Sequence, residues 1–86
     1  MKIQGAVIKE QGITFAVAIV KHHITSSNHE ADKVRGSLQG YFPGLPVVLA
    51  SQDARGNFRY HGRTDLAKFL AGLHPSQIPW KEYTYS

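Results

Sequence analysis

Five histidines are the side chains of this 86-residue chain with the widest chemistry, because imidazole changes charge near neutral pH and binds metal ions. His22 and His23 are adjacent and His29 follows six residues later, whereas His61 and His74 stand apart. The sequence has no cysteine, so disulfides, thiol catalysis and thiolate metal ligands are excluded. The histidine spacing matches no metal motif, and we expect no metal site.

Carboxylate and hydroxyl side chains form no catalytic arrangement. The six aspartates and glutamates are scattered, and each fits a local role as a helix cap, a turn residue or a surface charge. No nucleophile stands in an elbow or triad pattern. Residues 36–40, GSLQG, are not a phosphate loop, because no lysine follows in register. The sequence therefore predicts no catalytic residue and no cofactor, and it favours a non-catalytic protein over an enzyme.

The elements that must position these side chains follow a pattern that occurs twice. Residues 2–9 and 13–21 alternate in the manner of two strands, joined by a turn in which Gly12 is free to take a positive φ. Residues 47–51 and 57–61 predict a second hairpin, with Gly56 at its left-handed position. A helix follows each hairpin.

Capping signals and apolar stripes define the two helices. Ser27 and Glu30 have the spacing of a capping box, which predicts a helix that starts near Asn28 and has Gly40 as its C-cap. Thr64 is the expected N-cap of the second helix. The residues expected to be mostly buried are Phe15, Val17, Ile19, Val34, Leu38, Val47, Leu49, Phe58, Leu66, Phe69 and Leu70.

The pattern predicts an α+β fold, a two-layer ββαββα arrangement over residues 1–86 as a single domain. Four strands form an antiparallel or mixed sheet, and two helices lie on one face. Two strand orders fit. In sequence order, the second and third strands are parallel neighbours joined by a helical crossover. In the order 1-2-4-3, all neighbouring strands are antiparallel.

Two partial resemblances accompany these orders. The order 1-2-4-3 resembles a circular permutation of the ferredoxin-like plait. Residues 45–73, LPVVLASQDARGNFRYHGRTDLAKFLAGL, resemble the closing ββα of thioredoxin-like domains, over about a third of the chain. That resemblance implies topology only, because the Cys-containing active-site motif of the family is missing and its redox activity does not carry over.

Strand direction gathers most histidines at one end of the predicted fold. His22, His23 and His29 follow the end of the second strand, and His74 follows the end of the second helix. The third strand ends at the same side, and its turn carries Asp53 and Arg55. We call these six residues the histidine rim, which offers a binding site for a small ligand or an anion; solvated loop histidines are the simpler interpretation.

Small residues line the sheet face that this arrangement leaves without helices. Ala16 and Ala18 share one side of a central strand, and Ala6 and Ala50 are placed with them; we call these four the alanine face. An uncharged sheet face is rarely left to water. The chain offers two covers for it: the aromatic tail 78–85, which contains Trp80 and Tyr83, or a second copy of the chain. We therefore expect Ala16, Ala18, Trp80 and Tyr83 to form an interaction face.

The cations do not point to nucleic acid. Arg59 and His61 share one face of strand 57–61, with Arg55 and Arg63 flanking, whereas the aromatic residues of that strand share the other face. Proteins that bind single-stranded nucleic acid carry cations and aromatic rings on the same surface. The simpler interpretation of residues 57–61 is a polar edge strand that its charges protect from pairing. The net charge of +4 attracts anions only in general terms.

The apolar runs of the chain indicate where the protein is located. The longest apolar run, residues 15–20, is far shorter than the roughly 20 residues that span a bilayer, so we expect a soluble, cytoplasmic protein that does not bind membranes. The leading hypothesis is a small non-catalytic binding or assembly module that self-associates as a homodimer. The alternative is a small ligand- or anion-binding protein, or an enzyme, that uses the histidine rim.

Overall fold

Alternating apolar residues build one sheet, around which the helices are arranged. The structure, a computed structural model, describes residues 2–10 and 12–84. Gln11, in the first turn, and Tyr85, in the tail, lie outside the described residues. The elements are β1 (Lys2–Glu10), β2 (Ile13–Ile19), α1 (His22–Thr25), α2 (Asn28–Gln39), β3 (Val47–Gln52), β4 (Phe58–His61), α3 (Thr64–Ala71), a 3₁₀ turn (Pro75–Gln77) and β5 (Lys81–Thr84).

The strands lie in the order β4-β3-β2-β1-β5. Two antiparallel hairpins, β1–β2 and β3–β4, are joined by a parallel pairing of β2 with β3, in which Ala18 lies opposite Leu49. Gly12 and Gly56 take positive φ angles of 80° and 87° in the hairpin turns, as expected. Sequence order is thus confirmed for the four predicted strands. The permuted, ferredoxin-like order is wrong.

The described sheet has five strands, the four predicted ones and one more, so the predicted ββαββα order is compatible with the fold but incomplete. The aromatic tail forms β5, which runs antiparallel to β1 with Tyr83 opposite Ile3. A short helix, α1, also occupies part of the expected loop after β2. The Ser26 amide donates to the carbonyl oxygen of His22 and closes one helical turn, and Thr25 Oγ1 donates to the same oxygen.

The helix caps differ slightly from expectation. Ser27 accepts a hydrogen bond from the Glu30 amide at 3.4 Å, and Gly40 is the C-cap, so both predicted ends of α2 are confirmed. Thr64 is the first residue of α3 instead of its N-cap. Arg63 occupies the cap position without a side-chain cap bond, and its guanidinium pairs instead with Asp65 in the first turn.

The two long helices pack on opposite faces of the sheet, so their predicted placement on one face, in two layers, is wrong. Ala31 and Leu38 of α2 pack on Leu49. Leu66 and Leu70 of α3 pack on the other side of the sheet. Both faces of β2 and β3 are apolar, and each face therefore requires its own cover. The result is a helix–sheet–helix arrangement.

The alanine face does not exist as one surface. Ala6 pairs with Val17, and neighbouring residues across a sheet point to the same side, so Ala6 lies opposite to Ala16 and Ala18. Ala16 and Ala18 are covered on the α2 side, whereas Ala6 and Ala50 belong to the α3 side. All four are 0% exposed. They provide close packing inside the chain.

The predicted core is largely confirmed. Phe15 is fully buried on the α3 side, where its ring meets that of Phe69 edge to face at 6.4 Å between centroids. Ile19, Val34, Phe58 and Phe69 are half-buried. The buried members of the predicted set are Phe15, Val17, Leu38, Val47, Leu49, Leu66 and Leu70.

Candidate functional site

The histidine rim is partly assembled by the parallel pairing of β2 and β3, whose carboxyl ends lie at the same edge of the sheet. His22 and His23 are exposed on α1, directly after β2, and Asp53 follows β3. The pKa of Asp53 is lowered, chiefly by the hydrogen bond from the Asn57 amide, with further contributions from the Arg55 amide and the nearby His22. Asp53 therefore acts first as the residue that orders its own turn.

The remaining rim residues belong to three different segments of the chain. His29 is exposed in the first turn of α2, and Arg55 is exposed in the β3–β4 turn. His74 is engaged locally: its Nδ1 accepts from the Ser76 amide at 3.2 Å, and its own amide donates to Gln77 Oε1 at 3.0 Å. Within residues 2–10 and 12–84, no three histidine or carboxylate side chains are grouped to hold a metal ion.

The tail aromatics of the expected interaction face lie on opposite sides of the sheet. Trp80 stacks on Phe58 at 6.1 Å between ring centroids, and its Nε1 donates to the Pro75 carbonyl oxygen at 3.0 Å. Tyr83 meets Phe42 edge to face at 5.5 Å on the α2 side. Both rings therefore close the core of their own chain.

A polar network links α2 to the far end of β4. Asp32 Oδ1 lies 3.0 Å from His61 Nε2 and 3.4 Å from a terminal nitrogen of Arg35. The hydrogen bond with His61, helped by the positive charges of Arg35 and His29, lowers the pKa of the Asp32 carboxyl. Asp32 stays 62% exposed and ionised, so its charge is available to further partners.

Strand β4 presents a free backbone edge. The Asp53 amide donates to the Asn57 carbonyl oxygen at 2.9 Å, which makes this a hydrogen-bonded pair of the β3–β4 ladder. Because such pairs alternate along an antiparallel ladder, Arg59 and His61 also bond to β3, whereas the amides and carbonyls of Phe58 and Tyr60 point outward. None of the other described residues bonds to these outward groups.

The two sides of this edge differ in character. On the α2 side, Arg59 is exposed and has no carboxylate within reach among the described residues. On the α3 side, Phe58 and Tyr60 stack at 6.2 Å, and together with Ala67 and Ala71 of α3 they line a cleft of about 390 Å³. The sequence-based separation of cations from aromatics is thus seen in the fold.

Tyr60 also carries an unsatisfied polar atom. Its hydroxyl oxygen is buried and has no hydrogen-bond partner among the described residues. Burial raises the pKa of the phenol. An unpaired buried hydroxyl has a desolvation cost. The polar atoms next to β4 are therefore less completely hydrogen-bonded than those in the rest of the described fold.

A second cleft, of about 520 Å³, lies between α2 and the residues that follow β4, and its walls contain Arg35 and Arg63. Sequence reasoning identified Arg63 only as a flanking cation and did not identify Asp32 or Arg35. Asp32 and His61 are 29 positions apart, so their contact depends on the β3–β4 register together with the placement of α2. The spacing of residues along the sequence therefore does not indicate the contact between Asp32 and His61.

Comparisons with known proteins give no function. No protein-family model, no curated protein and no solved structure matches this chain. None of the helices in the described part of the chain is long and apolar enough to cross a membrane.

Proposed function

We propose that this protein is a non-catalytic assembly module, a cytoplasmic homodimer formed when the free edges of β4 from two copies pair. The observation that carries the proposal is the outward-facing backbone of Phe58 and Tyr60, which lacks partners among the described residues. Unpaired strand edges are templates for pairing with another strand. Residues 58–61 contain no proline, which would block such pairing. Dimers with two-fold symmetry are the commonest assemblies.

Symmetry and charge select the register of the pairing. If the two β4 strands pair antiparallel in one continuous sheet, the two-fold axis passes through the position at which a residue lies opposite the same residue of the second copy. The candidates considered for this position are Arg59 and Tyr60. An axis at Arg59 places two guanidinium groups directly opposite each other, which is unfavourable. An axis at Tyr60 lets the two Tyr60 residues exchange backbone hydrogen bonds and places Arg59 opposite His61 of the second copy. We therefore choose Tyr60.

The Tyr60 register pairs opposite charges. His61 holds Asp32 at 3.0 Å on the α2 side of the sheet, and Asp32 is 62% exposed. Arg59 lies on the same side, because Arg59 and His61 are two residues apart in one strand. The otherwise unpaired Arg59 of each copy then faces Asp32 of the other, and the axis repeats this contact twice.

Small residues make room for the second copy on the α3 side. Ala67 and Ala71 are one helical turn apart and line the cleft beside β4. Their short side chains allow the α3 helices of two copies to approach each other across the axis. Tyr60 and Phe58 add aromatic surface at the same place, which is typical of the centre of an interface.

Sedimentation equilibrium with charge variants tests the proposal. The wild-type chain should have twice the 9.6 kDa mass of one copy. Arg59→Glu places a carboxylate against Asp32 of the second copy and should weaken the dimer by about tenfold or more. Arg55→Glu changes the net charge equally in an exposed turn and should leave the mass unchanged. A monomeric wild type, or equal effects of the two variants, would refute the proposal.

A backbone test complements the charge test. Tyr60→Pro removes the outward amide, whereas Tyr60→Ala keeps it, and proline is tolerated where the amide of an edge strand faces solvent. The alanine variant controls for loss of the ring. Tyr60→Pro should be a folded monomer by circular dichroism, and Tyr60→Ala should retain more of the dimer. Equal dimer affinity in both variants would show that this amide makes no intermolecular bond.

A further inference from the structure

We infer that the cleft between α2 and the start of α3 is a binding site for a phosphoryl group. The cleft has a volume of about 520 Å³ and is lined by Arg35, Gln39, Pro46, Val47, Gly62, Arg63 and Thr64. Two lining residues are cations and none is acidic. Anion binding, which the sequence suggested at the histidine rim, therefore fits this cleft better.

Arg63 is oriented by Asp65, two residues further along the chain. Its Nε and one terminal nitrogen donate to the two carboxylate oxygens of Asp65 at 3.2 and 2.8 Å. A guanidinium has five N–H donors, so three of those on Arg63 remain for a ligand. A planar guanidinium with a fixed orientation suits the geometry of a phosphate.

Arg35 faces the cleft from α2 and is weakly engaged. Its only charged partner among the described residues is Asp32, at 3.4 Å, and Asp32 makes a shorter contact of 3.0 Å with His61. An anion can therefore replace Asp32 as the partner of Arg35, while the Asp32 carboxylate stays hydrogen-bonded to His61. The side chain of Arg35 is only 34% exposed, so its charge is less screened than that of a fully solvated arginine.

Gln39 completes the polar wall. Its Nε2 donates to the carbonyl oxygens of Phe42 and Leu45, which orients the amide, and its Oε1 has no donor among the described residues. Inorganic phosphate and a phosphate monoester both present phosphoryl oxygens to the two guanidinium groups. An ester of a polyol such as glycerol adds alcohol hydroxyls from which Gln39 Oε1 can accept, so this acceptor favours a polyol phosphate. The inference does not depend on dimer formation.

Titrations followed by amide chemical shifts test this site. Inorganic phosphate and glycerol phosphate are added to the full chain at constant ionic strength, with chloride as the reference salt. Saturable shifts should appear at Gly62 and Thr64. A stronger response to glycerol phosphate indicates that the site takes an ester, and equal responses indicate free phosphate. A response to neither ion, or one that chloride reproduces, would overturn the inference.

Matched variants separate the cleft from the general positive charge. Arg35→Gln and Arg63→Gln should each weaken phosphate binding by about tenfold, because each removes charge-assisted hydrogen bonds. Arg55→Gln removes the same charge from the β3–β4 turn and should bind as wild type. Arg63→Lys keeps the charge but loses the planar donors, and should bind with intermediate affinity. Equal weakening by Arg55→Gln would show non-specific attraction and overturn the inference.

Discussion

A buried hydroxyl pair that fixes α1 to the sheet provides a sharp test of the fold. Thr25 Oγ1 and Ser51 Oγ are 2.6 Å apart, and Ser51 is 0% exposed. Thr25 Oγ1 also lies 3.1 Å from the His22 carbonyl oxygen, to which it can only donate. Each hydroxyl has a single hydrogen, so Ser51 is the donor to Thr25.

Ser51→Ala should therefore leave the Thr25 oxygen without its donor. Loss of one partner of a buried hydrogen bond costs about 1–3 kcal/mol. A chain of this size has a total stability of about 4–13 kcal/mol, so the variant should fold. At a urea m-value of about 2 kcal/mol/M, the midpoint should fall by about 0.5–1.5 M.

A double-mutant cycle with Thr25→Val separates the pair from its surroundings. Ser51→Ala removes the donor to Thr25, and Thr25→Val leaves the Ser51 hydroxyl without its acceptor. The double variant removes both hydroxyls, so its cost should be smaller than the sum by about 1 kcal/mol. All four proteins are unfolded in urea at one protein concentration. Additive costs, or a Ser51→Ala midpoint equal to wild type, would refute the assigned contact.

Three further predictions concern single side chains. Phe15→Ala should cost about 3–5 kcal/mol, because Phe15 is fully buried against Phe69; a thermal transition near that of the wild type would contradict the packing. Tyr60→Phe should leave stability unchanged or raise it by about 1 kcal/mol in chemical denaturation, because the hydroxyl is buried and unpaired; a clear loss would reveal a hydrogen-bond partner. Asp53→Ala should lower the thermal midpoint at neutral pH. The lowered pKa of Asp53 means that the difference persists above pH 3.8 and shrinks as the pH falls further; a difference independent of pH would contradict the role of the charge.

Local signals in the sequence predicted the elements well. The two hairpins follow from period-two alternation and from Gly12 and Gly56, which the turns require at positive φ. The start of α2 follows from the capping spacing of Ser27 and Glu30. Each of these features is decided within a few residues, so sequence alone is sufficient.

The placement of the helices was not decided locally. Ala16 and Ala18 were interpreted as an open face, because small residues look alike whether a helix or nothing covers them. The crossover between parallel strands β2 and β3 puts α2 over these alanines, while the apolar stripe of α3 covers the side that carries Phe15. The apolar character of both faces of β2 was the available signal for two covers.

The candidate functional features depend on pairings between distant segments. The free edge of β4 exists because β5 pairs with β1 at the other side of the sheet. The contact between Asp32 and His61 and the cleft between Arg35 and Arg63 need the β3–β4 register and the position of α2 together. These long-range relations have no signature in the spacing of residues along the chain.

Oxidative cross-linking tests the central claim, the pairing of β4 around Tyr60, most directly. The chain has no cysteine, so a single introduced thiol reports one position. Facing residues of a hydrogen-bonded antiparallel pair have Cα atoms about 5.5 Å apart, within the range of a disulfide. Tyr60→Cys should therefore give a covalent dimer of twice 9.6 kDa, while Arg59→Cys, whose thiol is offset by two residues from the same thiol in the second copy, should form no covalent dimer under the same oxidation. No covalent dimer from Tyr60→Cys, or preferential cross-linking of Arg59→Cys, would contradict the account.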